Sequence, residues 1–151
     1  SHLGLKNVRD EKPRASQIKD DDPDGELWRV NTDYCCHVRK VLPLERSLEP
    51  FEAWITGRKR FQSDTRVKLA AIEQDGRHIK INPLAGWDST QLQEYFVSRD
   101  LPKHPLSYIG YPSIGCAPCT TPVGAGEDPR SGRWADSQKT ECGIHKAIWA
   151  G

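Results

Sequence analysis

The chain has 151 residues, 36% of them hydrophobic, with 22 Lys and Arg against 21 Asp and Glu for a formal net charge of +1. That length suits one domain with a lean core, expected over residues 1–151, and a near-neutral balance without a long basic stripe interleaved with aromatics argues against a nucleic-acid partner. A mean hydropathy of −0.72, no apolar run near the ~18 to 20 residues of a membrane span and no opening signal-peptide pattern read as a soluble chain with no membrane role.

Taken from the N-terminus, Leu5 to Val8 reads as a strand, and Arg9 to Glu26 as a polar connection broken by Pro13 and Pro23. Asp20-x-Asp22-x-Asp24-Gly25 imitates the start of a calcium loop, but Pro23 interrupts it and Asn31 stands where the bidentate Glu belongs. A helix is expected from an Asp33 cap to Val41, stopped by Pro43, and a second from Ser47 to Ile55, closed by Gly57. Val67 to Glu73 and His78 to Asn82 read as strands around Asp75-Gly76. Asp88 then caps a helix with Gln91 at the capping-box position, its face formed by Leu92, Tyr95 and Phe96 before Pro102. From Pro102 to Gly132 prolines and glycines dominate, and such a loop needs something to hold it. The five tryptophans, Trp28, Trp54, Trp87, Trp134 and Trp149, read as packing residues.

Five cysteines carry the chemistry: adjacent Cys35-Cys36, the Cys-x-x-Cys of Cys116 and Cys119, and a lone Cys142 in Glu141-Cys142-Gly143-Ile144-His145. Four thiols can hold a metal centre while the fifth stays free to react. Neighbouring Cα atoms lie ~3.8 Å apart and their helical side chains diverge by ~100°, so both sulfurs reach one tetrahedral zinc only with strain. A cubane offers several iron corners, and divergent thiolates can each take one. A four-iron cluster, structural zinc and ordinary buried or disulfide-linked thiols all stay open, with adjacency favouring the cluster. Arg39 and Lys40, four residues after the pair, could offset the charge of cluster thiolates or simply sit at a helix C-terminus.

In order along the chain, Cys-Cys-x-x-Arg-Lys, Trp54-Ile55-Thr56-Gly57 with the basic segment after it, Gly115-Cys116-x-x-Cys119-Thr120 and Glu-Cys-Gly-Ile-His together resemble bacterial adenylyl-sulfate (APS) reductase of the iron-sulfur type. The resemblance implies an α/β fold of the adenine-nucleotide hydrolase type and reduction of adenylyl sulfate to sulfite and AMP with thioredoxin. It implies a 4Fe-4S cluster on Cys35, Cys36, Cys116 and Cys119, and a nucleophilic Cys142 that is sulfonated and then cleaved by a thioredoxin thiol. Relatives acting on 3'-phosphoadenylyl sulfate usually lack the four cluster cysteines, so APS is favoured and PAPS is the runner-up. Gly143 and the nearby chain end suit a mobile tail, with 111–145 read as a cysteine-rich loop and catalytic tail.

The same resemblance places Arg60, Gln62, Ser63 and Arg66 on the nucleotide, and Arg130, Arg133, Lys40 and His145 on the phosphosulfate. Arginine forks suit such oxygens, although a solvated basic face is the plain alternative for either group. No Ser-Gly-Gly-x-Asp-Ser phosphate loop is present and methionine is absent even at position one, so the chain is expected to be the C-terminal portion of a reductase, with Ser1-His2 either an added remnant or simply a cut point. Free thiols and a cluster point to a reducing cytoplasm. The alternative of another class is a zinc-stabilised binding module without catalysis, and a homo-oligomer is left open.

Overall fold

Two acceptor side chains start the helices of the N-terminal region. After α1 (Ala15–Asp21), Asp22 accepts from the Leu27 N–H at 2.9 Å and opens α2 (Leu27–Val30), and Asn31 accepts from the Tyr34 N–H at 3.0 Å and opens α3 (Thr32–Cys36). The start therefore lies at Asn31, not Asp33, and the supposed polar connection contains helix. Asp22 also pairs with Arg39, whose guanidinium holds the carboxyl below its ordinary range against the opposing effect of burial.

The computed structural model describes residues 3–145, in two units: the chain as far as Phe51 with the residues from Cys142, and Glu52–Glu141. Ser1-His2 and Trp149 lie outside the described residues. No helix of the described residues is long and apolar enough to cross a membrane.

In the first unit Pro43 does not end the helix. α3 runs into a π-helical turn, His37–Val41, and then into α4 (Leu42–Leu48), with the Leu42 N–H bonded to the His37 carbonyl five residues back. The wide turn restarts the α-ladder, so Pro43 falls in its first turn, where a missing N–H leaves no hydrogen bond unmade. Arg39 and Lys40 are thus mid-helix, which removes the helix-terminus reading of their charge. Val38 (fully buried), Val41, Leu48, Cys35, Cys36 and Cys142 form the core of this unit. Leu5 to Val8 forms no strand: among the described residues no sheet partner pairs with it, and Leu5 and Val8 stay exposed.

The second unit is built on a three-stranded sheet in the order β1-β3-β2. β1 (Ala53–Ile55) runs parallel to β3 (His78–Ile81), and β2 (Ile72–Asp75) joins β3 in an antiparallel hairpin whose two-residue loop uses Gly76 at φ +62°. The helix expected over Ser47 to Ile55 stops at Leu48 because Pro50 follows, and Trp54 and Ile55, good strand formers, join the sheet instead. Asp64–Arg66 turns as a 3₁₀ helix and Leu69 bonds back to Arg66, so β2 begins at Ile72, not Val67. The Asp88–Gln91 capping box forms as expected and opens α5 (Ser89–Ser98).

The sheet is polar where it is buried. Lys80 pairs with Asp75 at 3.0 Å and lies over the Trp54 ring, while Ile55, Ile72 and Ile79 on the other face are exposed. Fully buried Asn82 follows β3: its Oδ1 accepts from Thr56 Oγ1 and Arg58, and its Nδ2 donates to the Ala70 carbonyl and Glu73. Replacing Asn82 by Ala strands several of these buried groups, and urea unfolding should show a loss of about 2 kcal/mol or more.

Candidate functional site

A cleft of about 650 Å³ within Glu52–Glu141 brings both basic groups of the sequence to one place. Arg60 and Gln62, from the 3₁₀ turn Arg60–Gln62, and Ser63, just before the turn Asp64–Arg66, line it together with Arg130, Arg133 and Lys139. Four cations against Asp64 and Asp128 leave the walls net positive. Lys139, absent from the sequence assignment, is a further cation here.

These arginines are held in a way that leaves their charge available. Arg60 Nε donates to the Leu69 carbonyl at 2.9 Å, Arg130 Nη2 to the Thr140 carbonyl at 2.8 Å and Arg133 Nη1 to the Ile114 carbonyl at 3.0 Å. Arg133 also stacks on Trp134 at 4.4 Å, and its buried Nε has no hydrogen-bond partner. Carbonyls and an aromatic face orient a guanidinium without neutralising it. Desolvation lowers the Arg130 pKa, Glu141 at 3.7 Å raises it in part, and Arg66 and Arg133 add to the lowering, so an incoming anion would relieve a poorly solvated cation.

Three of the expected substrate contacts, Gln62, Ser63 and Arg66, are engaged by side chains within the protein. Gln62 Oε1 accepts from the Lys59 N–H at 3.1 Å and from Arg66 Nη1 at 2.6 Å. Arg66, 8% exposed, is not among the cleft walls; its Nε and Nη2 donate to the two Glu141 oxygens at 2.5 and 2.7 Å. Glu141 also accepts from Ser63 and Thr65.

The loop from Pro102 to Gly132 holds itself together. Thr120 bridges Arg133, the Thr121 N–H donates to the Gly132 carbonyl at 2.8 Å and the Trp134 N–H to the Cys119 carbonyl at 3.0 Å. Cys116 and Cys119 bracket the 3₁₀ turn Ala117–Cys119. Gly115 lies under the Arg133 guanidinium, where an added Cβ would stand 2.7 Å from Nε.

In the first unit, the turn Gly143–His145 lies against the helix that carries Cys35 and Cys36. A Cβ at Gly143 would stand 3.0 Å from Val41 Cγ2 and 3.7 Å from Cys36 Cβ. Lys40 belongs to the π turn of that helix, and the His145 N–H donates to the Cys142 carbonyl. Cys35, Cys36 and Cys142 are each no more than 8% exposed, and none of the five cysteines is in a disulfide. Cys35 acts on Arg39 as a hydrogen-bonding and charge partner; together with Asp22, the larger cause, it raises the Arg39 pKa.

Among the described residues no three histidine, cysteine, aspartate or glutamate side chains stand together as a group that could hold a metal ion. Cys35 and Cys36 are buried, Cys35 beside the Arg39 guanidinium, and Cys116 and Cys119 flank a tight turn. In kind and number, four thiols outside any disulfide suit a four-iron cluster.

Gly115→Ala should move the Arg133 guanidinium, the flexible partner in that contact, while leaving the loop bridge intact. The Arg133 Nε–Hε resonance should shift while urea unfolding changes by less than about 1 kcal/mol.

The family model of the phosphoadenosine phosphosulfate reductase domain matches residues 1–122. A Mesorhizobium japonicum protein named adenosine 5'-phosphosulfate reductase is 53% identical over 143 residues, covering 95% of this chain and 56% of its own length. A Gloeobacter violaceus protein named phosphoadenosine 5'-phosphosulfate reductase is 53% identical over 119 residues, 76% of this chain and 49% of its own length. The crystal structure of phosphoadenylyl-sulfate reductase from Candida auris, a phosphate complex, superposes with a TM-score of 0.56 at 30% identity, covering 78% of this chain and 54% of that one. The chain thus spans 56% and 49% of the lengths of these two curated relatives. With its mixed α/β sheet, a match over residues 1–122 and these likenesses, the chain belongs to the phosphoadenosine phosphosulfate reductase domain family.

Proposed function

We propose that this chain carries the sulfur-transfer residues of an adenylyl-sulfate reductase that takes electrons from thioredoxin or a similar dithiol protein and yields sulfite and AMP. The cleft is the observation that carries it: cations from two segments more than sixty residues apart line one cavity, held by carbonyls and a tryptophan face. Such a cavity suits a ligand with several anionic oxygens, and a phosphosulfate is one.

In this reading Arg60, Arg130 and Arg133 receive phosphate and sulfate oxygens, Ser63 and Gln62 shape the same wall, and Lys40 and His145 act on the sulfate. The Cys142 thiolate attacks the sulfur of adenylyl sulfate. A sulfur–sulfur bond forms, the bond from sulfur to the bridging oxygen breaks, and AMP leaves with the electron pair. A thioredoxin thiolate then attacks Cys142 Sγ, releasing sulfite. Cys142 departs only if attack falls on the outer sulfur, so attack at Sγ gives a mixed disulfide, which the second thioredoxin thiol resolves to free Cys142. The two electrons come from the dithiol, and no other reductant is needed. Cys35, Cys36, Cys116 and Cys119 would hold a 4Fe-4S cluster, which when bound tunes the electrostatics near the sulfate.

The relatives' names divide between the two nucleotides, so 3'-phosphoadenylyl sulfate is the second reading. Incubated in the full-length protein with radiolabelled adenylyl sulfate and no thioredoxin, the Cys142 peptide should gain one SO₃ group, Cys142→Ser should gain none, and thioredoxin should release the label as sulfite. A faster reaction with 3'-phosphoadenylyl sulfate would replace the substrate, and no label on Cys142 from either nucleotide would overturn the mechanism. Purified protein should carry about four iron and four acid-labile sulfide per chain, and stoichiometric zinc instead would favour a binding module.

A further inference from the structure

Arg66 stands apart from the other arginines of the basic groups. Arg60, Arg130 and Arg133 line the cleft and lean on carbonyls, whereas Arg66 is absent from the cleft walls and all three of its nitrogens have side-chain acceptors. Two of them form a bidentate fork on Glu141, which is itself 16% exposed. Ser63 Oγ and Thr65 Oγ1 add hydroxyl donors at 3.3 and 3.2 Å. A charge-assisted fork of this kind, largely out of water, fixes both partners in orientation and is costly to open from one side.

Glu141 is one peptide bond from Cys142, and the residues before it are held too: Lys139 and Thr140 line the cleft, and Arg130 donates to the Thr140 carbonyl. We propose that Arg66, with Ser63 and Thr65, is a positioning residue that clamps Glu141 and so fixes the backbone immediately before the thiol, and that it does not bind the substrate. The inference rests on Cys142 being the attacking group. It gives the glutamate of Glu141-Cys142-Gly143 a role that local charge alone would not suggest: both oxygens of its carboxylate take the fork of a guanidinium.

The test uses the full-length protein with Arg66→Gln, Glu141→Gln and the exchanged pair R66E/E141R. Single-turnover sulfonation of Cys142 at saturating nucleotide should fall about tenfold or more in each single variant, with the apparent nucleotide dissociation constant changed less than about threefold. Iodoacetamide alkylation of Cys142, followed by peptide mass without any nucleotide, should rise about tenfold in both, and the exchanged pair should recover part of each change. If Arg66→Gln instead raises the dissociation constant about tenfold at an unchanged saturating rate, Arg66 is a substrate ligand and the proposal falls. It falls equally if Glu141→Gln alkylates at the wild-type rate. Should Arg66→Gln fail to fold, the near-isosteric Glu141→Gln carries both readouts. A wild-type protein that forms no Cys142 sulfonate would refute the reductase reading, while the alkylation rates would still decide the clamp.

Discussion

One buried amide governs how the second unit presents its basic segment. Asn82 Oδ1 gathers Thr56 and Arg58, and its Nδ2 reaches the Ala70 carbonyl and Glu73, so the segment leaving β1 and the segment entering β2 are held at one point beyond the sheet. Arg58, 8% exposed, has its charge met there by Glu73. The next residues then turn: the Arg60 N–H bonds the Ala85 carbonyl, and its side chain reaches the Leu69 carbonyl. A buried polar hub of this sort tolerates little rearrangement, since each lost partner leaves a desolvated group behind.

That hub also separates two uses of arginine. Arg58 and Arg66 are matched to carboxylates, and their charges are consumed in holding the fold. Arg60 and Arg133 are held by neutral acceptors, and Arg130 chiefly so, with Glu141 only at 3.7 Å. Neutral support fixes direction while leaving the cation's field to act on whatever enters the cleft. Five arginines close in sequence or space therefore divide by what their forks touch, which spacing along the chain does not reveal.

Several features were legible because they depend on neighbours in sequence. The Asp88–Gln91 box and the Gly76 hairpin are local devices, and each forms where its residues stand. The convergence of the 60–66 and 130–133 segments was legible only through the resemblance, since no periodicity links residues that far apart. Pro43 misled because the rule that proline stops a helix assumes an unbroken α-ladder, and the turn before it is π. The helix expected from Ser47 to Ile55 failed at its end because Trp54 and Ile55 pair with β3, which no local signal announces. The engagement of Glu141 by Arg66 lies beyond any local pattern, since 75 residues separate the partners.

The π turn has a consequence for changes in chain length. Each residue added to or taken from an α-helix rotates everything beyond it by ~100°. The wide turn already absorbs one such step, so deleting one residue between His37 and Val41 would let the ladder close as ordinary α with Leu48 near its present side, but would set the proline ring against an uninterrupted row of carbonyls. Point substitutions on the outer side of this stretch can be absorbed, but loss of the wide turn ahead of Pro43 cannot. The helix bearing the cysteine pair is therefore more sensitive to insertions and deletions than to most exchanges of side chain.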